Sequence, residues 1–452
     1  MLLVRTMIFC GCCLSLFAQS DPAQSGSAQT DSGEEYSGPA ILSRGETPGA
    51  QTEAPVAFRP YIGVSAIYDT GLVPVSVTST GTIPSSNLYG VEANLGAYTY
   101  RSWKHTTLAL DYRGDFRHYP DATYWDGTDQ FLALILTHRP SKRVTFTLRE
   151  DGGVYSRNYF LSSTLGALDP NYLALPQSDI FDNRVIFVGT SADFTYHKSA
   201  RLSFNLGGEG SVVRRQSSAL YGVTTGVARA DMEYRFTRRS TLGVDYRFTY
   251  YQYTRGFGDT QINSVGLNYS TRLSSRVQFS TRVGGAHVAS SSLALVPLDP
   301  AIAALLGVST GIQATYQSNY LPDVQARLSD SFRRSQLALQ YSDSVVPGNG
   351  VFVSSRNNIG TASYSYSGVR HWNFGVDGSY GRMTSLGQNF GAYSSYGGGG
   401  GFTRDLGKGL HSVLRFDTRH YDIASNSMFK HTEYRATVGL TFAPGDIPLV
   451  LW

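Results

Sequence analysis

The sequence predicts an all-β chain folded as a transmembrane up-and-down antiparallel β-barrel of about 18 strands, within a range of 16 to 20. Three observations lead there. Beyond residue 57, segments of about ten to sixteen residues alternate apolar and polar side chains with period two, as half-buried strands do. Short basic turns alternate with longer, more variable connections. The composition is poor in charge, at 16% of residues, and rich in Gly (48), Tyr (30) and Phe (23), so the outer surface is not a charged, water-facing one.

Met1 to Ala18 carries Arg5, an apolar core from Met7 to Phe17 and a small residue before the polar Gln19, the layout of a secretory signal peptide. Cys10, Cys12 and Cys13 all fall inside it, so a processed chain holds no cysteine for a disulfide, a thiolate metal site or a nucleophile. Residues 19–56 are rich in Gln, Ser, Gly, Pro and Thr and read as a disordered periplasmic arm, with one short apolar island at 36–45. No later run approaches the ~18 apolar residues of a membrane helix, and the most apolar one, Leu293 to Val308, is broken by Pro297, Asp299 and Pro300.

The barrel is read over 57–442. At 105–118 the apolar or small residues Leu108, Leu110, Tyr112, Gly114 and Phe116 alternate with charged ones, and the pattern recurs at 227–236 and 242–250. These runs exceed the soluble strand average of about five or six residues and match the nine to eleven, roughly, of a tilted membrane strand. Eight short turns are read, near 100–104, 138–142, 196–200, 236–240, 272–276, 332–335, 367–370 and 405–408. Nine longer connections lie between and outside them, including 70–87, 157–182 and 289 to about 310, which gives eighteen strands. The even count suits a bacterial barrel with short periplasmic turns and long extracellular loops. Pro322 marks the weakest place, where one bent strand or two short ones can be drawn. Aromatic pairs beside the turns, Tyr98 and Tyr100, Phe194 and Tyr196, Tyr234 and Phe236, Tyr364 and Tyr366, Trp372 and Phe374, are read as an interfacial girdle. Gly397 to Gly401 falls within a strand, where either an inward loop crosses closely or the wall is weak.

The last alternating segment, Tyr434, Ala436, Val438, Leu440 and Phe442, resembles the terminal strand of porin-like outer-membrane barrels. The resemblance implies placement in the outer membrane of a Gram-negative-type cell and recognition by the barrel-assembly machinery through the strand ending at Phe442. The chain departs from that pattern by continuing as an apolar tail over 443–452, which is expected to pack against the periplasmic mouth.

No His-Glu-x-x-His, Gly-x-Ser-x-Gly, phosphate loop or dinucleotide fingerprint is present, and the histidines stand singly. No enzyme activity, cofactor or metal is therefore read from the chain. The carboxylates of 119–129 fit no standard calcium loop. Without a strongly basic block, nucleic acid is not expected as a partner. The polar strand faces carry the candidate lumen-lining residues: Asp111, Arg113, Asp115, Arg117, Arg229, Asp231, Glu233, Arg235, Asp245, Arg247, Arg276, Arg282, Arg415, Asp417 and Arg419. A barrel of this size holds water, so such charges line a passage for hydrophilic solutes, sugars or polysaccharide among them. Polysaccharide-export components are then expected partners. Nine Arg against six acidic residues lean towards anionic or sugar solutes. The alternatives are a structural or adhesive barrel with a closed lumen and, less favoured, an outer-membrane hydrolase.

Overall fold

A computed structural model describes residues 56–70, 87–121, 123–156, 184–217, 220–297, 309–348, 350, 353–386, 392–423 and 431–445. The signal peptide, arm and island, the tail from 446 onwards, and the loops within 71–86 and 157–183 lie outside them.

Eighteen strands are formed: β1 (Val56–Thr70), β2 (Asn87–Ser102), β3 (Thr106–His118), β4 (Gly127–Ser141), β5 (Val144–Tyr155), β6 (Val185–His197), β7 (Leu202–Arg215), β8 (Gly222–Arg235) and β9 (Ser240–Thr254). The second half comprises β10 (Asp259–Arg272), β11 (Val277–Pro297), β12 (Thr310–Ser331), β13 (Ser335–Val346), β14 (Ser355–Val369), β15 (Trp372–Ser385), β16 (Tyr393–Gly407), β17 (Leu410–Ile423) and β18 (His431–Phe442). Each pairs antiparallel with its sequence neighbours, and β1 pairs with both β2 and β18, with Ile62 opposite Phe442 and Thr70 opposite Tyr434. The sheet is closed.

The alternation read from the sequence sorts side chains between two faces. Val64, Phe116, Val283, Val376 and Leu440 point outward and are exposed, whereas Ser65, Asp69, Asp245, Thr260 and Thr403 point inward and are buried. A soluble protein places these classes the other way round. An apolar outer band costs roughly 25 cal/mol per Å² in water and is stable only against hydrocarbon.

Register is pinned at the short-turn rim by one repeated device. The hydroxyls of Ser141, Ser199, Thr237 and Ser274 each accept the backbone N–H groups two and three residues on, at 2.9–3.2 Å. The residue two positions after each hydroxyl is Arg: Arg143, Arg201, Arg239 and Arg276. The hydroxyl satisfies turn donors that have no ladder partner, which explains why these turns are short.

Two expectations need correction, and the choice left open at Pro322 is decided. The connection from 289 is not a loop at its start, because β11 runs on to Pro297 and pairs with β12 as far as Thr310. Pro322 does not split β12, since it sits opposite Gly285 in a continuous β11–β12 ladder. Pairing of β12 with β13 ends at Val324 opposite Asp343, so Pro322 occupies a stretch of β12 with a neighbour on one side only, where a missing N–H is tolerated. Finally, Tyr98 and Tyr100 do not join the girdle. They share the inward face of β2 with Asn94 and Gly96, Tyr98 standing opposite Arg59, while Tyr234, Tyr364, Tyr366 and Phe374 are exposed on the outside.

Candidate functional site

Fourteen of the fifteen charged residues read from the sequence lie on strands with inward parity. Arg235 is the last residue of β8 and is exposed at the periplasmic rim. The remaining residue, Arg276, is corrected: it closes the turn before β11, and its guanidinium lies over the Phe332 ring at 6.0 Å. It belongs to a turn because its N–H is held by the Ser274 hydroxyl.

The inward arginines lie flat along the wall. Arg282 is the clearest case. Asp245, Gly266, Gly284 and Asp323 stand directly opposite one another on β9, β10, β11 and β12. The Arg282 guanidinium spans the gap left by the two glycines. Its Nε donates to both Asp245 oxygens at 2.9 Å, one terminal nitrogen reaches Asp245 at 2.6 Å, and the other meets Asp323 at 2.5 Å. A methyl group on Gly266 would come within 2.8 Å of Asp245 Oδ1 and 2.9 Å of Arg282 Nε. The glycine is a bed for the ion pair.

The same construction recurs. Asp193, Gly207 and Arg229 form a row across β6, β7 and β8, with Arg229 bidentate on Asp193 at 2.5 Å. Gly399 lies between Asp377 and Asp417, and Arg415 passes over it to bond both. That is the work of Gly399 within the Gly397–Gly401 run: side chains, not a loop, cross this glycine. Elsewhere Arg117 meets Asp129 at 2.5 Å and the Ser156 carbonyl at 2.6 Å, Arg113 meets Asp111 at 2.6 Å, and Arg435 joins Asp69 at 2.7 Å across the closing seam. Asp231 accepts from Asn205 at 3.2 Å, Arg419 lies over the Tyr421 ring at 4.7 Å, and Asp115, Glu233 and Arg247 also face inward. Sequence reasoning missed the partners Asp69, Asp129, Asp193, Asp323 and Asp377. These five carboxylates more than offset the apparent excess of three arginines. Only the strand register brings them within reach of the arginines.

In the periplasmic half this wall encloses a polar cavity of about 520 Å³ lined by residues including Asn205, Glu209, Asn268, Gln325, Arg327 and Gln340. Above it, toward the long loops, the inward face turns apolar. Phe131, Tyr155, Phe187, Val213, Tyr251, Ile262 and Val288 form an apolar collar along β4 to β11, in which Tyr251 and Val288 are 0% exposed. Glycine serves here too: Phe131, Gly153 and Phe187 are opposed across three strands, and the rings stack over the glycine at 6.4 Å.

The β13–β14 connection enters the lumen at this level. The Tyr251 hydroxyl donates to the Val345 carbonyl at 3.4 Å, four strands away around the wall. Ser354 Oγ bonds the hydroxyls of Tyr253 (3.1 Å) and Thr260 (2.6 Å), and the Tyr221 N–H donates to the Gly350 carbonyl at 3.0 Å. Gly350 has φ +94° and packs on the Arg215 side chain, so a side chain there meets both strain and overlap. The β3–β4 connection also folds inward. Tyr119 donates to Asp69 at 2.5 Å and packs with Ile67, Leu88 and Trp125. Asp126 takes the Tyr119 N–H and Asp129 takes Arg117, so two carboxylates of 119–129 hold the loop itself. Among the described residues no group of three or more His, Cys, Asp or Glu is placed to hold a metal ion.

The chain folds as an outer-membrane-type β-barrel. Solved structures that superpose on it include the Pseudomonas aeruginosa protein OccK2 (OpdF), determined in complex with glucuronate, at 14% identity and a TM-score of 0.40 over 85% of this chain and 98% of that one. OpdK from Pseudomonas aeruginosa matches at 14% identity and a TM-score of 0.41 over 86% and 99%. Acinetobacter baumannii OccAB3 matches at 9% and 0.40 over 85% and 99%. No family model matches the chain, and no curated protein does. The architecture and outer-membrane placement follow from the barrel itself: even strand number, closed sheet, apolar exterior and one rim of short turns.

Proposed function

We propose that the barrel is a gated channel for small, neutral, hydroxyl-rich solutes such as sugars. What supports this is the polar cavity beneath the collar, whose Arg149, Arg229 and Arg282 are tied to carboxylates on the wall. Charges that neutralise one another leave no single-sign field to attract an ion, yet they present many hydrogen-bonding atoms. A volume of about 520 Å³ falls in the small-molecule range, so a small sugar suits it better than a polymer chain. The anionic preference read from the arginine excess loses its basis once the carboxylates are counted. The collar and the inward β13–β14 connection make the resting mouth narrow and apolar, a constriction of the kind that gates by dewetting. Phe442, exposed at the end of the closing strand, supports recognition by the assembly machinery.

Liposome swelling tests the channel. Vesicles carrying the folded protein should swell in glucose and arabinose, faster than in gluconate at equal osmolarity, and faster still when the inward connection is loosened. No swelling from either protein would favour the closed structural barrel.

A further inference from the structure

The lipid-facing wall carries two arginines where its apolar band ends. Val324, Asp343, Asn358 and Arg382 stand opposite one another on β12, β13, β14 and β15, and Arg356 lies two residues above Asn358 on β14. All five share the strand faces of the exposed Tyr320, Tyr341, Tyr364 and Val376, which are the outer ones. Arg382 is ten residues up β15 from Trp372, so at about 3.4 Å per residue and a tilt of about 40° it stands about 26 Å above the short-turn rim, at the upper margin of an apolar band about 25 Å tall. That margin is the headgroup level of the outer leaflet.

The two guanidiniums are held differently. Arg356 is bidentate on Asp343, with Nε at 2.8 Å and Nη2 at 2.5 Å, and the Asn358 amide nitrogen donates to both Asp343 oxygens at 3.1 Å. The pair fixes the Arg356 plane and leaves Nη1 for another acceptor. Arg382 is exposed and has no counter-ion among the described residues; Asp422, in the same row, stands two strands away beyond Ser394. An arginine on the lipid face is costly within the band and stable at its margin, where headgroup anions meet it.

Beneath the arginines runs a furrow. Gly360 lies between Tyr341 and Tyr380, and one step lower Ala362 lies between Leu339 and Gly378. A methyl group on Gly360 would meet nothing within 4 Å, and Tyr380 packs on Tyr396, on the side away from Gly360, with ring centroids 5.2 Å apart. The floor is two small residues on β14, and the flanking strands are about 10 Å apart, room for one acyl chain.

A cationic rim over an apolar furrow fits a lipid with an anionic head. Phosphate is the head chemistry that guanidiniums match, through paired N–H donors. In the outer leaflet of an outer membrane the phosphate-bearing lipid is an acylated disaccharide, whose hydroxyls also suit Thr384, opposite Arg356. We propose that Arg356 and Arg382 bind a phosphate of this saccharolipid on the outside of the barrel, with one of its acyl chains in the Gly360 furrow, and that Asp343 and Asn358 position Arg356 for it. The site lies outside the lumen and does not depend on the channel reading.

The folded full chain, in detergent with EDTA, is titrated with diphosphoryl lipid A, and bound lipid is followed by native mass spectrometry. Arg382→Gln leaves no buried charge behind and should weaken binding about tenfold, the loss expected for a charge-assisted bond. Arg356→Gln/Asp343→Asn, which removes both members of the ion pair, should weaken it to a similar degree with heat-modified gel mobility unchanged. Dephosphorylated lipid A should bind the wild type no better than lipid A binds Arg382→Gln. Gly360→Leu, which fills the furrow from the lipid side, should also lower affinity. Unchanged lipid A binding by Arg382→Gln, or equal binding of the dephosphorylated lipid, would overturn the site. Phosphatidylglycerol held as tightly as lipid A would overturn the saccharolipid as its occupant, and wild-type affinity in Gly360→Leu would overturn the furrow.

Discussion

Replacing Gly266 by Ala should destabilise the barrel although the same exchange elsewhere in its strands stabilises it. Gly in a strand interior costs roughly 0.5–1 kcal/mol relative to Ala, so an unobstructed exchange gains about that much. At Gly210, Gly226 and Gly360 an added methyl meets nothing within 4 Å. At Gly266 it meets Asp245 Oδ1 at 2.8 Å and Arg282 at 2.9 Å, where ordinary contact begins at 3.4 Å, so the ion pair must lift by about half an ångström. That shift stretches the bonds of 2.6 and 2.9 Å that Arg282 makes to Asp245 and its 2.5 Å contact with Asp323. Charge-assisted bonds contribute about 1.5–3 kcal/mol each, and partial loss of two outweighs the entropic gain, for a net cost of about 1–2 kcal/mol. Thermal unfolding in detergent, read by heat-modified gel mobility, should therefore move down for Gly266→Ala and up for Gly210→Ala. Bilayer recordings should show lower conductance only for Gly266→Ala, because the lifted guanidinium occupies the lumen. Equal shifts of the same sign in both variants would refute the bed.

Arg435→Ala should be among the most damaging single changes, because it leaves Asp69 buried without its counter-charge, held only by the Tyr119 hydroxyl, at the seam where β18 meets β1, at a cost of about 3–5 kcal/mol. An unchanged melting temperature would disprove this, and an Asp69→Leu/Arg435→Met pair should recover part of the loss. Phe187→Ala empties the stack over Gly153 and should cost about 3–5 kcal/mol while widening the collar; a loss no larger than the scatter among neutral variants would contradict the packing. Ser354→Ala, which removes the tie to Tyr253 and Thr260, should speed sugar swelling without changing heat-modified mobility, and unaltered swelling would remove the inward connection as a gate. Phe442→Ala should lower the yield of assembled barrel in cells but leave refolding in detergent intact; normal assembly would exclude that residue as a recognition signal.

The strands, their number and the short turns were readable because they are local: period two, a hydroxyl and a basic residue recur within a few positions of each other. The glycine beds were not. Gly266 and Asp245 are 21 residues apart, and nothing in either segment says that one stands opposite the other until closure sets the register. The same cause hid the acidic partners and produced the overestimate of arginine. The inward course of the β13–β14 connection was not legible either, since the direction of a loop depends on what the opposite wall offers, here Tyr251, Tyr253 and Thr260. Tyr98 and Tyr100 misled for a related reason, because an aromatic ring beside a turn is acceptable on either face when one face is a polar lumen.

The hydroxyl-pinned turns bear on how the chain enters the bilayer. Each places an arginine at one rim, and arginine is the side chain most reluctant to cross hydrocarbon, at roughly 2–4 kcal/mol per residue at the midplane of a barrel wall. With Arg143, Arg201, Arg239 and Arg276 fixed two residues after their anchoring hydroxyls, inverted insertion would carry all four through the membrane together. The hairpins can therefore travel only with their long loops leading, and the turns act as a ratchet that sets the barrel's orientation before it closes.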